Sequence, residues 1–178
     1  MAWQRKAVAV GAVAWTSGMV LAQPAFGRSD LEPGMEWRDR MTAVGSNGAC
    51  GGSSGGAVVY AVQSNLWAAG NLASAQIDGQ YGPVTEAAMK SFQAAHGMSQ
   101  TGCLDYGNWN SFQNATAPNG AYLFALAQDS TQWSNWKFSG SAGAAKWQWD
   151  RNCRWWSMTI PSTGYKVQVG NKDGGINC

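Results

Sequence analysis

Ile77-Asp78-Gly79-Gln80-Tyr81-Gly82-Pro83-Val84-Thr85 is the stretch on which the reading of this chain turns. The Asp78 side chain is suited to accept a hydrogen bond from the backbone two residues on, which fixes a turn. Gly79 and Gly82 allow backbone angles that other residues resist. Pro83 suits the first turn of a helix, where its missing N–H costs nothing, and Glu86 complements the helix dipole there. Val84, Ala88, Phe92 and Ala95 then recur at i, i+4, i+8 and i+11, which predicts a helix with one apolar face, ended by Gly97.

The same design lies upstream. Val58, Val62, Leu66 and Ala69 repeat that spacing, Ser53 and Ser54 stand before them as caps, and Gly70 can take the left-handed position that ends a helix. Downstream, Asn108 to Gln113 reads as a shorter third helix burying Trp109 and Phe112. Three short helices over residues 50–117 can enclose a small core. Asp78, Thr85 and the two glycines read first as turn builders and second as ligand contacts. Gln80 and Tyr81, expected at the exposed tip, are the more direct candidates. Trp67, off the apolar stripe of its helix, and Gln93 complete the candidate set.

At this point a resemblance is visible. Gly52-Ser53-Ser54-Gly55, Ala57-Val58, Val62-Gln63, the helix end at Gly70, the Asp78–Thr85 turn, Phe92-Gln93 and His96-Gly97-Met98 together resemble the peptidoglycan-binding type 1 domain of bacterial wall hydrolases, with Trp109 in the place of the tryptophan that closes such domains. The resemblance spans about residues 52–112, roughly a third of the chain. It implies a three-helix fold, peptidoglycan as partner, no cofactor and no catalysis by this domain. One half departs from the pattern: the second copy of the turn reads Thr101-Gly102-Cys103-Leu104-Asp105-Tyr106-Gly107-Asn108 and keeps only Gly102. Cys103 there suggests a covalent staple in place of turn chemistry.

Residues 118–178 differ in composition. Six tryptophans (133, 136, 147, 149, 155 and 156) fall in this stretch. Alternation over Lys146–Ile160 predicts strands with Trp147 and Trp149 on one face and Trp156, Met158 and Ile160 on another. Tyr165, Val167 and Val169 predict a later strand, while Ala121 to Gln128 fits a strand or a helix. The expected fold class is α+β: a three-helix domain, then a small disulfide-closed antiparallel β unit. Most of the tryptophans are expected in its core, with one or two exposed as a surface for a glycan or protein; Trp147, Trp149 and Trp155 are the candidates.

The N-terminal stretch 1–27 reads as a signal peptide: Arg5 and Lys6, an apolar run over Ala7–Leu21, then small residues at cleavage positions after Ala22 or Gly27. No membrane contact is expected once it is removed, and the product is expected outside the cell or on the wall. Polar residues 28–49 read as a flexible linker. Arg5 and Lys6 account for the formal +2 of the chain, so the mature protein is neutral and lacks the basic face that nucleic acid requires. Four cysteines in an exported chain imply disulfides with three possible pairings. Cys50–Cys103 with Cys153–Cys178 keeps each bond inside one unit.

No metal is expected, since His96 is the only histidine and no CxxC occurs. His96 at a helix end is read as complementing the dipole in its charged form. Nor is catalysis expected: His96 lacks a nucleophilic partner, and Asp129, Asp150 and Asp173 lie in a unit small for a two-carboxylate cleft. The reading is a secreted, non-catalytic wall binder. The alternative is a secreted effector or inhibitor whose β unit binds another protein or glycan, with the helical domain only localising it.

Overall fold

The computed structural model describes residues 52–169 together with Leu31, Met35, Trp37, Met41, residues 43–46 and Cys50. The expected signal peptide (1–27) and Cys178 lie outside the described residues. Among the described residues three helices precede a five-stranded antiparallel sheet, so the class is α+β. Among the described residues no helix is long and apolar enough to cross a membrane.

Helix α1 is Ala57–Ala69. Gly70 ends it in the left-handed region (φ 87°), where a Cβ would be strained. Every residue from Ala61 to Leu66 is buried, including Gln63, Ser64 and Asn65, so α1 runs through the middle of the molecule. A single 3-10 turn, Ser74–Gln76, leads to the Asp78 turn. Helix α2, Pro83–Ala95, buries Thr85, Ala88, Met89, Phe92 and Gln93. This corrects the expected stripe: Val84 is 52% exposed and Ala95 is exposed. Hydrophobicity alone assigns Thr85 and Gln93 to the outside, yet both sit inside because they bond to the turns. Helix α3, Tyr106–Gln113, starts two residues earlier than expected, because Asp105 caps it by accepting from the Asn108 N–H at 2.9 Å.

The sheet is a meander, β1 (Phe124–Asp129) to β5 (Lys166–Gln168) in chain order, with β2 Trp133–Ser139, β3 Ala144–Asp150 and β4 Trp155–Thr159 between. The ambiguous segment resolves as strand β1. Register places Trp136 opposite Trp147, Trp147 opposite Met158 and Trp149 opposite Trp156. All of these therefore share one face, not the two that alternation within single strands suggested, and that face packs on α1.

The residues expected to form a flexible linker supply part of the core. Met35, Trp37, Met41 and Val44 are fully buried. Trp37 lies edge-on to Trp109 (centroids 6.0 Å), against Phe124 at 4.7 Å and stacked on Trp147 at 4.7 Å. It therefore sits between α3 and the sheet. Helices and sheet share one continuous core rather than two. That shared core holds Trp136, Trp147, Trp149 and Trp156, each at most 2% exposed, whereas Trp133 and Trp155 are half-buried. Trp147 and Trp149 are thus excluded as a surface platform.

Two further links join the halves. Trp147 Nε1 donates to the side-chain Oδ1 of Asn65 on α1 at 3.0 Å. The β2–β3 hairpin closes the C-terminal end of α1: Ala142 N donates to Ala68 O at 3.1 Å and Ser141 Oγ to Ala69 O at 3.1 Å. These hairpin donors satisfy carbonyls that a helix end leaves without partners.

Cys50 and Cys103 form a disulfide, with Cα atoms 5.8 Å apart, that pins the entry segment to the second turn. Closing 53 residues corresponds to about 4 kcal/mol in the chain-entropy account. Cys153 is also disulfide-bonded; its expected partner, Cys178, is outside the described residues.

Candidate functional site

One buried amide builds the first turn. The Gln63 side chain, fully buried on α1, accepts from the N–H groups of Asp78 (3.1 Å) and Gly79 (2.8 Å) through Oε1. Its Nε2 donates to Asp78 Oδ1 (2.8 Å), Gln80 O (3.0 Å) and Thr85 Oγ1 (3.0 Å). Asp78, Gly79, Gln80 and Thr85 are thereby locked around a single group. Asp78 Oδ1 also accepts from the Gln80 N–H at 2.9 Å, as the sequence required. The Gln63 amide, then the Gln80 N–H, hold the Asp78 carboxyl below the usual aspartate range, so it is ionised at neutral pH.

The chain then runs extended beside the segment before α1. Gly55 pairs with Gln80, and Tyr81 N donates to Ser54 O at 2.8 Å. Successive side chains of an extended segment point oppositely, so Gln80 faces solvent and Tyr81 faces inward. Tyr81 is only 3% exposed, which corrects its expected place at the tip. Its hydroxyl donates to Gly102 O at 2.7 Å, and burial, with Glu86 nearby, pushes its ionisation well above the ordinary tyrosine value.

Gln93 repeats the role of Gln63 one helix later. It is fully buried, accepts from the Gly102 N–H at 2.9 Å and donates to Cys103 O at 2.8 Å and Thr101 Oγ1 at 3.3 Å. Thr101 Oγ1 accepts from the Cys103 N–H at 3.2 Å, as Asp78 does from Gln80. Gly79 and Gly102 share the left-handed conformation, φ 76° and 71°. The second turn is therefore the first one rebuilt with Thr101 for Asp78; Cys103 adds a disulfide without displacing the turn's hydrogen bonds.

Of the sequence candidates, Asp78 and Gln80 alone are solvent-facing at the turn. Thr85, Tyr81 and Gln93 are internal. Trp67 is half-buried on another surface, a shallow cleft with Ser74, Ala75, Pro161 and Ser162. One residue was missed. The Tyr60 ring lies against Gly79 so closely that a Cβ there would come within 2.4 Å of it. Tyr60 is one helical turn from Gln63 on the same face, the spacing that signals this contact. Tyr60, Gln80 and the neighbouring exposed Ser54 make an uncharged rim around the Asp78 carboxylate, suited to hydrogen-bonding a polar ligand.

His96 contributes differently from expectation. Its ring is half-buried, 4.2 Å from the Phe92 centroid, and burial lowers its pKa against an opposing hydrogen bond with the Thr116 backbone. The neutral form is favoured, not the cation. Among the described residues no group of three histidine, cysteine or acidic side chains is arranged to hold a metal.

Residues 55–111 match the family described as "Putative peptidoglycan binding domain". The match covers the helical unit, in agreement with the motifs of the turn, and leaves the sheet outside it. No curated protein and no solved structure matches the chain.

Proposed function

We propose that this chain is a secreted, non-catalytic protein that binds peptidoglycan through the surface around the first turn. The observation that carries the reading is the match of residues 55–111 to the peptidoglycan-binding family, together with the Gln63 latch that presents Asp78 and Gln80 to solvent. A binder gains by having its contacts fixed beforehand, since less freedom is lost on association. Here the backbone of the turn is held from within, and the exposed Gln80 amide and Asp78 carboxylate are left to meet sugar hydroxyls, acetamido groups or stem-peptide amides. Tyr60 supplies an aromatic edge beside them.

The test is sedimentation of the chain from Arg28 onward with purified insoluble peptidoglycan. The protein should pellet with the wall and release no muropeptides. Gln80→Ala removes only an exposed side chain, because the turn uses the Gln80 backbone; it should weaken retention about fivefold with the melting temperature unchanged. A chain that stays in the supernatant removes the reading, and released muropeptides would overturn its non-catalytic part. Walls stripped of stem peptides separate glycan from peptide as the group recognised.

A further inference from the structure

The outer face of the sheet carries two polar rows that the helical unit does not use. Gln128, Asn135, Gln148, Ser157 and Gln168 are successive cross-strand partners from β1 to β5. Beside them run Lys137, Lys146, Thr159 and Lys166, again partners in succession. All of these except Gln168 line a groove of about 330 Å³ across the strands. Neighbouring strands lie ~4.8 Å apart, so the lysine row spans about 14 Å.

This arrangement is costly without a ligand. Lys137 and Lys146 face each other directly, and like charges in that position destabilise a sheet. All three lysines are exposed, and among the described residues none is ion-paired; the pairs present are Lys90–Glu86 and Arg151–Asp129. Asp150, the acid closest in register, turns its carboxylate into the β3–β4 turn, accepting from the N–H groups of Asn152 (2.9 Å) and Cys153 (3.0 Å). The amide row is linked: Gln148 Nε2 donates to Asn135 Oδ1 at 3.2 Å, and Lys166 Nζ donates to Gln148 Oε1 while lying 5.2 Å from the Trp133 ring centre.

We propose that this face binds a linear, carboxylate-bearing polysaccharide laid across the strands, with its carboxylates on the lysine row and its hydroxyls on the amide row. Three lysines on a chain whose formal net charge is only +2 are too few for a nucleic-acid backbone, whose affinity rests on neutralising many phosphates. Protein partners are mostly held by a few aromatic or arginine anchors seated in desolvated pockets. None of the large apolar side chains exposed among the described residues (Val84, Tyr122, Leu126 and Tyr165) lines the groove. Carboxylates offset the Lys137–Lys146 repulsion, and the amides supply paired donors and acceptors for hydroxyls. The site is separate from the turn surface, because the opposite face of the sheet is the one packed on α1.

The experiment is affinity electrophoresis of the chain from Arg28 onward through gels containing polygalacturonate, neutral dextran or polyphosphate. Polygalacturonate should retard it, less so as salt rises, and dextran should not. The Lys137→Gln/Lys146→Gln double variant should lose about tenfold in affinity, while Lys90→Gln, on α2, should lose none. The melting temperature of the double variant should stay constant or rise, because a repulsion is removed. Absence of retardation by polygalacturonate, equal retardation by polyphosphate, or a melting temperature that drops in the double variant would each overturn the proposal. Pelleting with peptidoglycan is read separately through Gln80→Ala, so either site can fail alone.

Discussion

At the scale of single residues, polar side chains in the interior decide the form of the candidate site. Gln63 makes five hydrogen bonds from inside α1, and Gln93 makes three from inside α2. Gln113 on α3 does the same for the entry segment, accepting from Trp37 N at 3.0 Å and donating to Met35 O at 3.2 Å. Removing such a group leaves buried backbone polar groups without partners. Gln63→Ala should therefore cost about 3 kcal/mol in denaturant unfolding, well beyond an exposed glutamine. His96 gives a pH signature. Its folded pKa is depressed, so the unfolded chain binds more protons, and stability rises with pH toward the unfolded value near ~6.5. Melting temperature should fall between about pH 7 and about pH 5, and His96→Phe should flatten that part of the profile. An unchanged slope in the variant would assign the effect to another group.

At the scale of elements, periodicity gave the three helices and the later strands in order, but not strand β2 and not every face. The α2 stripe was displaced because Thr85 and Gln93, polar in sequence, are consumed by the two turns. Strand pairing similarly merged two supposed tryptophan faces into one. Alternation fixes sides within a strand, whereas register between strands fixes which sides coincide. The β2–β3 hairpin shows how closely the elements fit: a Cβ on Gly140 would come within 2.4 Å of Ala68 O. Gly140→Ala has no room against that backbone and should destabilise the chain by about 1–3 kcal/mol, measured as a lower denaturation midpoint with an unchanged slope.

At the scale of the whole molecule, Trp37 is the piece that makes two expected units into one. It contacts rings from α3, β1 and β3. Trp37→Ala should cost about 3–5 kcal/mol in a single cooperative transition followed equally by far- and near-ultraviolet circular dichroism. Separate transitions for helices and sheet would contradict the shared core.

The sequence by itself determined the Asp78 turn, the three helices in order and the later strands of the sheet; it left Ala121–Gln128 open between strand and helix and passed over β2. The turn and the elements follow from local preferences: glycine and proline angles, a carboxylate reaching its own backbone, and repeated apolar spacing. Four cysteines left three pairings open, and the structure is what shows Cys50 bonded to Cys103. Only the tertiary structure decided that Tyr81 and Gln93 lie inside, that four tryptophans are sealed between sheet and helices, and that part of residues 28–49 belongs to the core. Burial depends on what comes to cover a side chain. For Trp37 that cover is Trp109, Phe124 and Trp147, more than seventy positions away in the chain, and no local pattern encodes a meeting at that distance.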